Sequence, residues 1–183
     1  YESTALLSPN NPGETITSSL KNYSRLANLA GLNLSTQSIE SNATQAIKKL
    51  NSLSFYENHI LPNIFLPDLM ALKKWDSDKN KIIYDDNVYD DSENKWVRNF
   101  SFPQNQIPSP QESFEVFRDK HLTVVEDTKI GFVTVKIKHQ SPTIAMHWTR
   151  LTIDQINAYY REKDKTEAER AVKYLNSQIA NTN

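Results

Sequence analysis

Residues 141–183 read SPTIAMHWTRLTIDQINAYYREKDKTEAERAVKYLNSQIANTN, and this stretch decides the fold. Ser141 and Pro142 form a cap-plus-proline pair that is typical of a helix start. From Thr143 to Asn183 there is neither glycine nor proline, so nothing in the sequence stops the helix. At about 1.5 Å per residue a continuous helix would reach roughly 60 Å, about twice the diameter of a small domain. We predict one long C-terminal helix, or a barely broken pair, part of which projects or meets a partner.

The apolar pattern changes along this helix. Its first half carries two apolar faces, as expected of a helix covered on two sides. These faces are Ile144, Trp148, Leu151 and Tyr159, and Met146, Ile153, Ile156 and Tyr160. Beyond Asp164 the pattern narrows to a thin stripe with alternating spacings of four and three, flanked by pairs such as Glu169 with Lys173, which is typical of a seam against another helix. The stripe consists of Ala168, Val172, Leu175 and Ile179.

Strand and helix signals precede this stretch. Leu122 to Val125 and Ile130 to Lys138 predict a hairpin. Ser109-Pro110-Gln111-Glu112 supplies an N-cap, a first-turn proline and a capping-box acid, so it predicts a helix through Phe114 and Phe117. Residues 76–110 are rich in Asp, Asn, Lys, Ser and Pro and predict surface hairpins and loops.

The first 75 residues predict a strand followed by helices. The strand is Tyr1 to Ser8, and a turn follows at Pro9 to Gly13. Helical spacing then predicts one helix ending at Gly31 and a second beginning near Ser38. The apolar residues of these helices are Leu20, Tyr23, Ala27 and Ala30, and Ile39, Ala43, Ala46 and Leu50. Ser54 with Glu57 predicts a short capped turn ending by Pro62, and Pro67 predicts a short helix carrying Leu69, Met70 and Leu72.

These elements together predict an α+β (mixed α/β) fold. We expect a small mixed sheet packed with helices as a base domain over residues 1–163. Residues 164–183 begin the long projecting helix. The chain opens at Tyr1, without methionine, and we expect an internal boundary there.

Composition argues against several classes of function. Lys and Arg total 21 against 22 Asp and Glu, with no sustained run of either sign, so nucleic acid is not expected as a partner. The absence of cysteine removes thiol nucleophiles and thiolate zinc sites. The three glycines, Gly13, Gly31 and Gly131, form no phosphate-binding pattern. No stretch approaches the roughly 20 apolar residues of a membrane span. We expect no enzymatic activity and no cofactor.

Metal binding is also not expected. His139 and His147 could meet only if the intervening turn brought them together, and the four histidines form no ligand array. Asp76, Asp78 and Asn80 resemble the start of a calcium loop, but Lys81 replaces the required glycine and Asn87 the bidentate glutamate. An acidic exposed loop is the preferred interpretation of residues 76–91, with a weak cation site left open.

A glycan-binding or glycan-cleaving domain is the alternative hypothesis for function. Trp75 and Trp96 would stack on sugar rings and the acidic loop 76–91 would supply carboxylates. Tryptophan at strand or helix spacing is more often core. A third hypothesis is a structural adaptor that docks helix to helix on an unrelated partner.

Two segments carry a resemblance to a known family. The first is Tyr1-Glu2-Ser3-Thr4-Ala5-Leu6-Leu7-Ser8-Pro9, continued by Leu29-Ala30-Gly31-Leu32. The second begins at Ser141-Pro142-Thr143-Ile144-Ala145 and continues through Trp148, Leu151, Ile156-Asn157, Arg161-Glu162-Lys163-Asp164-Lys165-Thr166-Glu167-Ala168, Tyr174-Leu175, Gln178 and Asn181-Thr182-Asn183. Together they resemble the periplasmic part of Wzz-type chain-length determinants, the polysaccharide co-polymerases that set the modal length of O-antigen in lipopolysaccharide biosynthesis.

The resemblance implies a protein of the bacterial inner membrane that faces the periplasm. Two membrane spans would flank an α/β base near the membrane and a long helix that rises from it. The subunits would form ring-like homo-oligomers through the base and the long helix. The implied partners are the polysaccharide polymerase, the growing glycan or both. No catalytic residues are implied. The chain departs from the family pattern by stopping at Asn183, before the rest of the long helix, its return and the proline-rich passage to the second span.

The same resemblance, with the stripe, predicts a subunit interface. Its polar members are Arg161, Glu162, Lys163, Asp164 and Glu167, for which ordinary charges on a helix surface are the preferred explanation. The full predicted set is Trp148, Arg161, Glu162, Lys163, Asp164, Glu167, Val172, Leu175 and Ile179.

Overall fold

The computed structural model describes residues 1–8, 42–127, 129 and 131–182, with the side chains of 171, 174, 175 and 178–182 outside the description. The predicted turn at Pro9 to Gly13, the helix ending at Gly31 and the helix start near Ser38 therefore lie outside the described residues. The described part is α+β with a long C-terminal helix, which confirms the predicted fold class.

The helices lie in the middle and at the end of the described chain. The first four are short: α1 (Asn42–Leu50), α2 (Leu53–Phe55), α3 (Leu66–Met70) and α4 (Pro110–Val116). Wider π turns, Tyr56–Ile60 and Phe117–His121, extend α2 and α4, and a 3-10 turn follows at Leu61–Asn63. The last helix, α5 (Pro142–Thr182), is continuous over 41 residues, as the missing glycine and proline predict.

The strands form one three-stranded sheet and two small ribbons. The sheet contains β1 (Glu2–Leu7), β6 (Leu122–Asp127) and β7 (Phe132–Lys138) in the order β1-β7-β6. The ribbons pair β2 (Leu72–Asp76) with β3 (Lys81–Tyr84), and β4 (Tyr89–Asp90) with β5 (Lys95–Trp96). All four strand pairings among the described residues are antiparallel, so the expected mixed sheet is corrected to an antiparallel one.

The central strand β7 organises the core. Val133, Val135 and Ile137 alternate with more exposed residues and are buried against the helices, since alternate side chains of a strand share one face. Glu2 of β1 lies opposite Lys138, and Leu122 of β6 lies opposite Ile137. The helices cover this face with a cluster of buried aromatic residues, which comprises Phe55, Tyr56, Phe114, Phe117 and Trp148.

Local capping confirms some sequence predictions and corrects others. Ser109 accepts from the Glu112 backbone N–H at 3.2 Å, as its cap signal predicts. The α2 cap is Ser52, which accepts from the Phe55 N–H, because the helix begins before the predicted Ser54. Leu72, predicted in a helix, opens β2 instead. Within the described residues no helix is both long and apolar enough to span a bilayer.

Candidate assembly surface

The start of α5 is fixed to the edge of the sheet. Ser141 Oγ accepts from the Ile144 N–H at 3.4 Å, which is the predicted cap. The Ser141 N–H in turn donates to His139 Nδ1 at 3.0 Å. The His139 N–H donates to the Tyr1 carbonyl at 3.0 Å, which joins the first residue of the chain to the residue that follows β7. Strand β1 and helix α5 therefore both begin at a common, hydrogen-bonded junction.

The first half of α5 belongs to the core. Trp148 is 1% exposed and lies edge-on to His121 and His139, with ring centroids at 5.5 and 5.0 Å. Thr149 and Thr152 are also buried, and each hydroxyl donates to the carbonyl four residues earlier at 2.7 Å. The predicted placement of Trp148 at a subunit interface is wrong, because its ring has no surface left to offer a second subunit.

The two predicted faces of this half differ in how they are covered. Ile144, Leu151 and Tyr159 pack on the core, and so do Ile153 and Tyr160 of the second face. Met146 is the exception at 53% exposed. The helix is therefore covered on most of two sides, as its sequence predicts, but not at Met146.

Beyond Tyr160 the helix gradually leaves the other described residues, although side chains as far as Arg170 still border α1 and the π turn after α2. Over residues 161–170 the side chains are exposed except Lys163 and Thr166, which are half-buried. The backbone stays helical to Thr182. This part is about 33 Å long at 1.5 Å per residue. A helix of this length with few contacts to the other described residues gains its stability from another surface or remains marginal.

The exposed part carries an apolar seam with the spacing of a helix-packing surface. A shallow depression of about 500 Å³ is lined by Lys165, Ala168, Glu169, Val172, Lys173 and Asn176. The first four of these positions have the i, i+3, i+4, i+7 spacing of residues that receive one side chain in knobs-into-holes packing. Val172 is 56% exposed, so more than half of its surface is uncovered. The seam continues toward Leu175 and Ile179, whose side chains are outside the description, so their predicted contacts stay predictions.

The predicted polar interface residues do not line this depression. Glu162, Lys163 and Glu167 line a second depression together with His59 instead. Arg161, Glu162, Asp164 and Glu167 are exposed. Lys163 Nζ lies 3.9 Å from Glu167 Oε1 and 5.7 Å from the centre of the Tyr160 ring. An exposed pair of this kind contributes about 0.3–0.5 kcal/mol at most, so these charges do not hold the helix by themselves.

The histidines do not form a metal site in the described part of the chain. His139 is 4% exposed and stacks on His121 at 5.7 Å, whereas His147 is exposed on α5. The considered meeting of His139 with His147 therefore does not occur. No group of three or more potential metal ligands is found among the described residues.

The acidic loop uses its carboxylates to build turns. Asp76 accepts from the backbone N–H groups of Asp78 and Lys79 at 3.0 and 3.1 Å. Asn80 adopts a φ of 46° and accepts from the Trp75 indole N–H at 3.1 Å. Asp90 accepts from Ser92 and Glu93, and these hydrogen bonds lower its pKa. The residues that suggested a calcium loop are thus turn-forming residues.

The two tryptophans of the glycan hypothesis lie in different ribbons. Trp75 in β2 packs edge-on against Tyr1 at 5.4 Å. Trp96 in β5 packs edge-on against Tyr89 at 5.2 Å. Both are half-buried, and each ring is engaged by another aromatic residue of the chain. The structure therefore does not bring them together into one sugar-binding platform.

Local sequence patterns missed two features of this surface. The junction of Tyr1 with His139 spans 138 positions, and no periodic signal marks it. The depression beside Ala168 can be expected from the sequence only if this small residue in the apolar stripe is taken to leave space for a side chain of another helix. In comparisons with family models, curated proteins and solved structures, none matched this chain.

Proposed function

We propose that this chain is the periplasm-facing part of a non-catalytic, inner-membrane regulator of surface polysaccharide chain length. It acts as a homo-oligomeric scaffold for the polymerase. The observation that carries the proposal is the exposed seam on the projecting half of α5. Together with the resemblance of residues 1–9 and 141–183 to Wzz-type determinants, it favours a protein that works through the packing of its own copies.

Packing between copies is the physical basis of this function. Covering an exposed valine with a neighbouring helix contributes on the order of 1–2 kcal/mol per copy, and a repeated contact adds up around a closed assembly. The base gives each copy a fixed orientation because α5 begins at the hydrogen-bonded junction with β1. The geometry of the assembly would then determine when the polymerase stops extending the glycan.

Complementation tests the function. The full-length gene is returned to a strain that lacks its chain-length regulator, and the distribution of polysaccharide lengths is measured on a gel. The expected result is a restored modal length. An unchanged, unregulated distribution with the protein present in the membrane contradicts the proposal.

A pair of valine substitutions tests whether the seam is responsible. Val172→Glu places a charge in the seam, and Val125→Glu makes the same change at a valine of β6 that is similarly exposed, at 53% against 56%. We expect Val172→Glu to abolish the modal length and to reduce the oligomer recovered after mild crosslinking, and Val125→Glu to leave both unchanged. Equal behaviour of the two variants would exclude the seam as the assembly contact.

A further inference from the structure

The loop between β5 and α4 exposes a group of apolar side chains that the assembly proposal does not use. We define the apolar loop as residues 97–107. Phe102 is 97% exposed, and Phe100 and Ile107 are more than half exposed. Val97 at the start of the loop is also exposed. A monomeric protein rarely keeps several large apolar side chains together in water without a use for them.

The apolar loop is held in place by one partly buried ion pair. Two nitrogens of the Arg98 guanidinium, Nη1 and Nη2, donate to the two carboxylate oxygens of Glu112, and the distance from Nη2 to Oε2 is 2.9 Å. Arg98 Nε also donates to the Gln106 carbonyl at 3.0 Å, and Nη2 donates to the Asn105 carbonyl. The Arg98 guanidinium and then the Ser109 backbone N–H lower the pKa of Glu112. The loop is therefore anchored at its base to the first turn of α4, and its apolar side chains point out from a fixed platform.

The chemistry of the loop is apolar and uncharged. Residues 99–111 contain no Asp, Glu, Lys or Arg, and their polar side chains are amides and hydroxyls. The charged groups at its base, on Arg98 and Glu112, neutralise each other. Such a segment can leave water without separating a charge from its solvent, which is the largest cost of entering a low-dielectric environment.

Part of the loop backbone is satisfied without water. Pro103 has no N–H. The Gln104 N–H donates to the Ser101 carbonyl at 2.9 Å, and Arg98 satisfies two further carbonyls. The remaining backbone groups can stay hydrated at the level of the lipid headgroups, because the interfacial region of a bilayer is polar.

We propose that the apolar loop inserts its tip, Phe100 and Phe102 with Ile107, into the interfacial region of a lipid bilayer. Phe102 has almost its whole side chain in solvent, so the loop presents a protruding ring and not a groove that would receive a partner segment. A bilayer can receive an apolar side chain without a complementary shape or a complementary charge. The uncharged tip of the loop fits such a partner. The argument uses only the loop, so it stands independently of the proposed chain-length function.

The test measures insertion directly. The chain contains no cysteine, so Ser101→Cys gives a single attachment point for an environment-sensitive fluorophore at the tip. Thr123→Cys, at an exposed position on β6, is the matched label position away from the loop. The 183-residue chain is titrated with vesicles of phosphatidylcholine, with and without phosphatidylglycerol. We expect increased, blue-shifted emission from the tip label with both kinds of vesicle and no change from the label on β6.

Side-chain variants assign the effect to the tip. Phe102→Ser should lower the apparent partition coefficient of the chain labelled at the tip about tenfold, since an exposed phenylalanine that enters an apolar phase contributes at least this factor. Ile107→Ser provides a second, independent reduction. Met146→Ser, at a 53% exposed position on α5, should leave the partition coefficient unchanged.

Three results would overturn the proposal. One is unchanged emission from the tip label at saturating lipid. Another is an equal response from the label on β6, which would indicate non-specific adsorption. The third is a vesicle-independent emission change that grows with protein concentration and disappears in Phe102→Ser, which would show that a second copy of the chain covers the loop. The chain-length distribution in the complementation assay is a separate readout, so either proposal can fail alone.

Discussion

At the residue scale, His139 connects the sheet, α3 and the start of α5. Its Nδ1 accepts from the Ser141 N–H, so its Nε2 carries the proton and donates to the Asp68 carbonyl at 3.2 Å. Burial lowers the pKa of His139, and burial lowers the pKa of His121, which stacks on it. Protonation of Nδ1 would remove an acceptor from the helix start and place a charge beside Trp148.

The pH dependence of stability follows from these lowered pKa values. Between the unfolded pKa, near 6.5, and the lower folded pKa, the unfolded chain binds more protons than the folded chain. The histidine contribution to the free energy of unfolding is therefore fully present above about pH 6.5 and is lost as the pH falls below it. Urea unfolding between pH 7.5 and 5.0 measures this loss.

Two histidine variants identify the source of the effect. His139→Gln should cost about 1–3 kcal/mol at pH 7.5, because the Ser141 N–H loses its imidazole acceptor, and should reduce the pH dependence to the part that comes from His121. His147→Gln, at an exposed position on α5, should change neither quantity. A pH dependence that is as steep in His139→Gln as in the unchanged chain would contradict this explanation.

At the element scale, the two halves of α5 are expected to differ in stability. Its first half is sealed by the sheet and by the aromatic cluster, whereas its second half depends on local hydrogen bonds. In the dilute chain we expect amides of residues 146–158 to exchange with solvent at least about a hundredfold more slowly than those of residues 165–178, because the latter open without disrupting the core. Hydrogen exchange followed by mass spectrometry measures both segments in one sample. Uniform protection at low protein concentration would show that the second half is stabilised within a single copy.

The sequence predicts those elements whose signals are local. The cap at Ser109, the β6–β7 hairpin and the unbroken α5 each depend on residues within a few positions of one another, and all three are confirmed. The pairing of β1 with β7 joins residues more than 120 positions apart, and no local pattern specifies its direction. This is why the sheet was expected to be mixed but is antiparallel.

The sequence predicts where the candidate surface lies on α5 but not all of the residues that belong to it. Spacing alone places Ala168 and Val172 on one stripe, and both lie on the exposed seam. Trp148 follows the same helical periodicity but is buried in the core. Periodicity alone does not show whether an apolar helix face packs on a sheet of its own chain or on another subunit. Among the described side chains, Tyr160 is the last of α5 that packs on the core. In the helical spacing this point is marked only by the narrowing of the stripe after Asp164.

At the scale of the whole molecule, the symmetry of assembly determines which faces of α5 meet. A closed ring needs a heterologous contact, in which the seam of one copy meets a different face of its neighbour, whereas a two-fold dimer brings two identical seams together. Arg170 lies two residues from Ala168, about 200° around the helix, and thus marks the opposite face.

Cysteine pairs distinguish these two arrangements in the 183-residue chain, because it has no cysteine of its own. For the proposed ring we expect Ala168→Cys and Arg170→Cys to stay monomeric on a denaturing gel when each is alone and an oxidant is added. The double variant should give a ladder of linked subunits, since a disulfide forms only where the two Cα atoms come within about 7 Å. A dimer band from Ala168→Cys alone would mean that identical seams face each other across a two-fold axis. A two-fold pair cannot close into a larger ring through this contact alone, so that result would require the ring to be held together by the base.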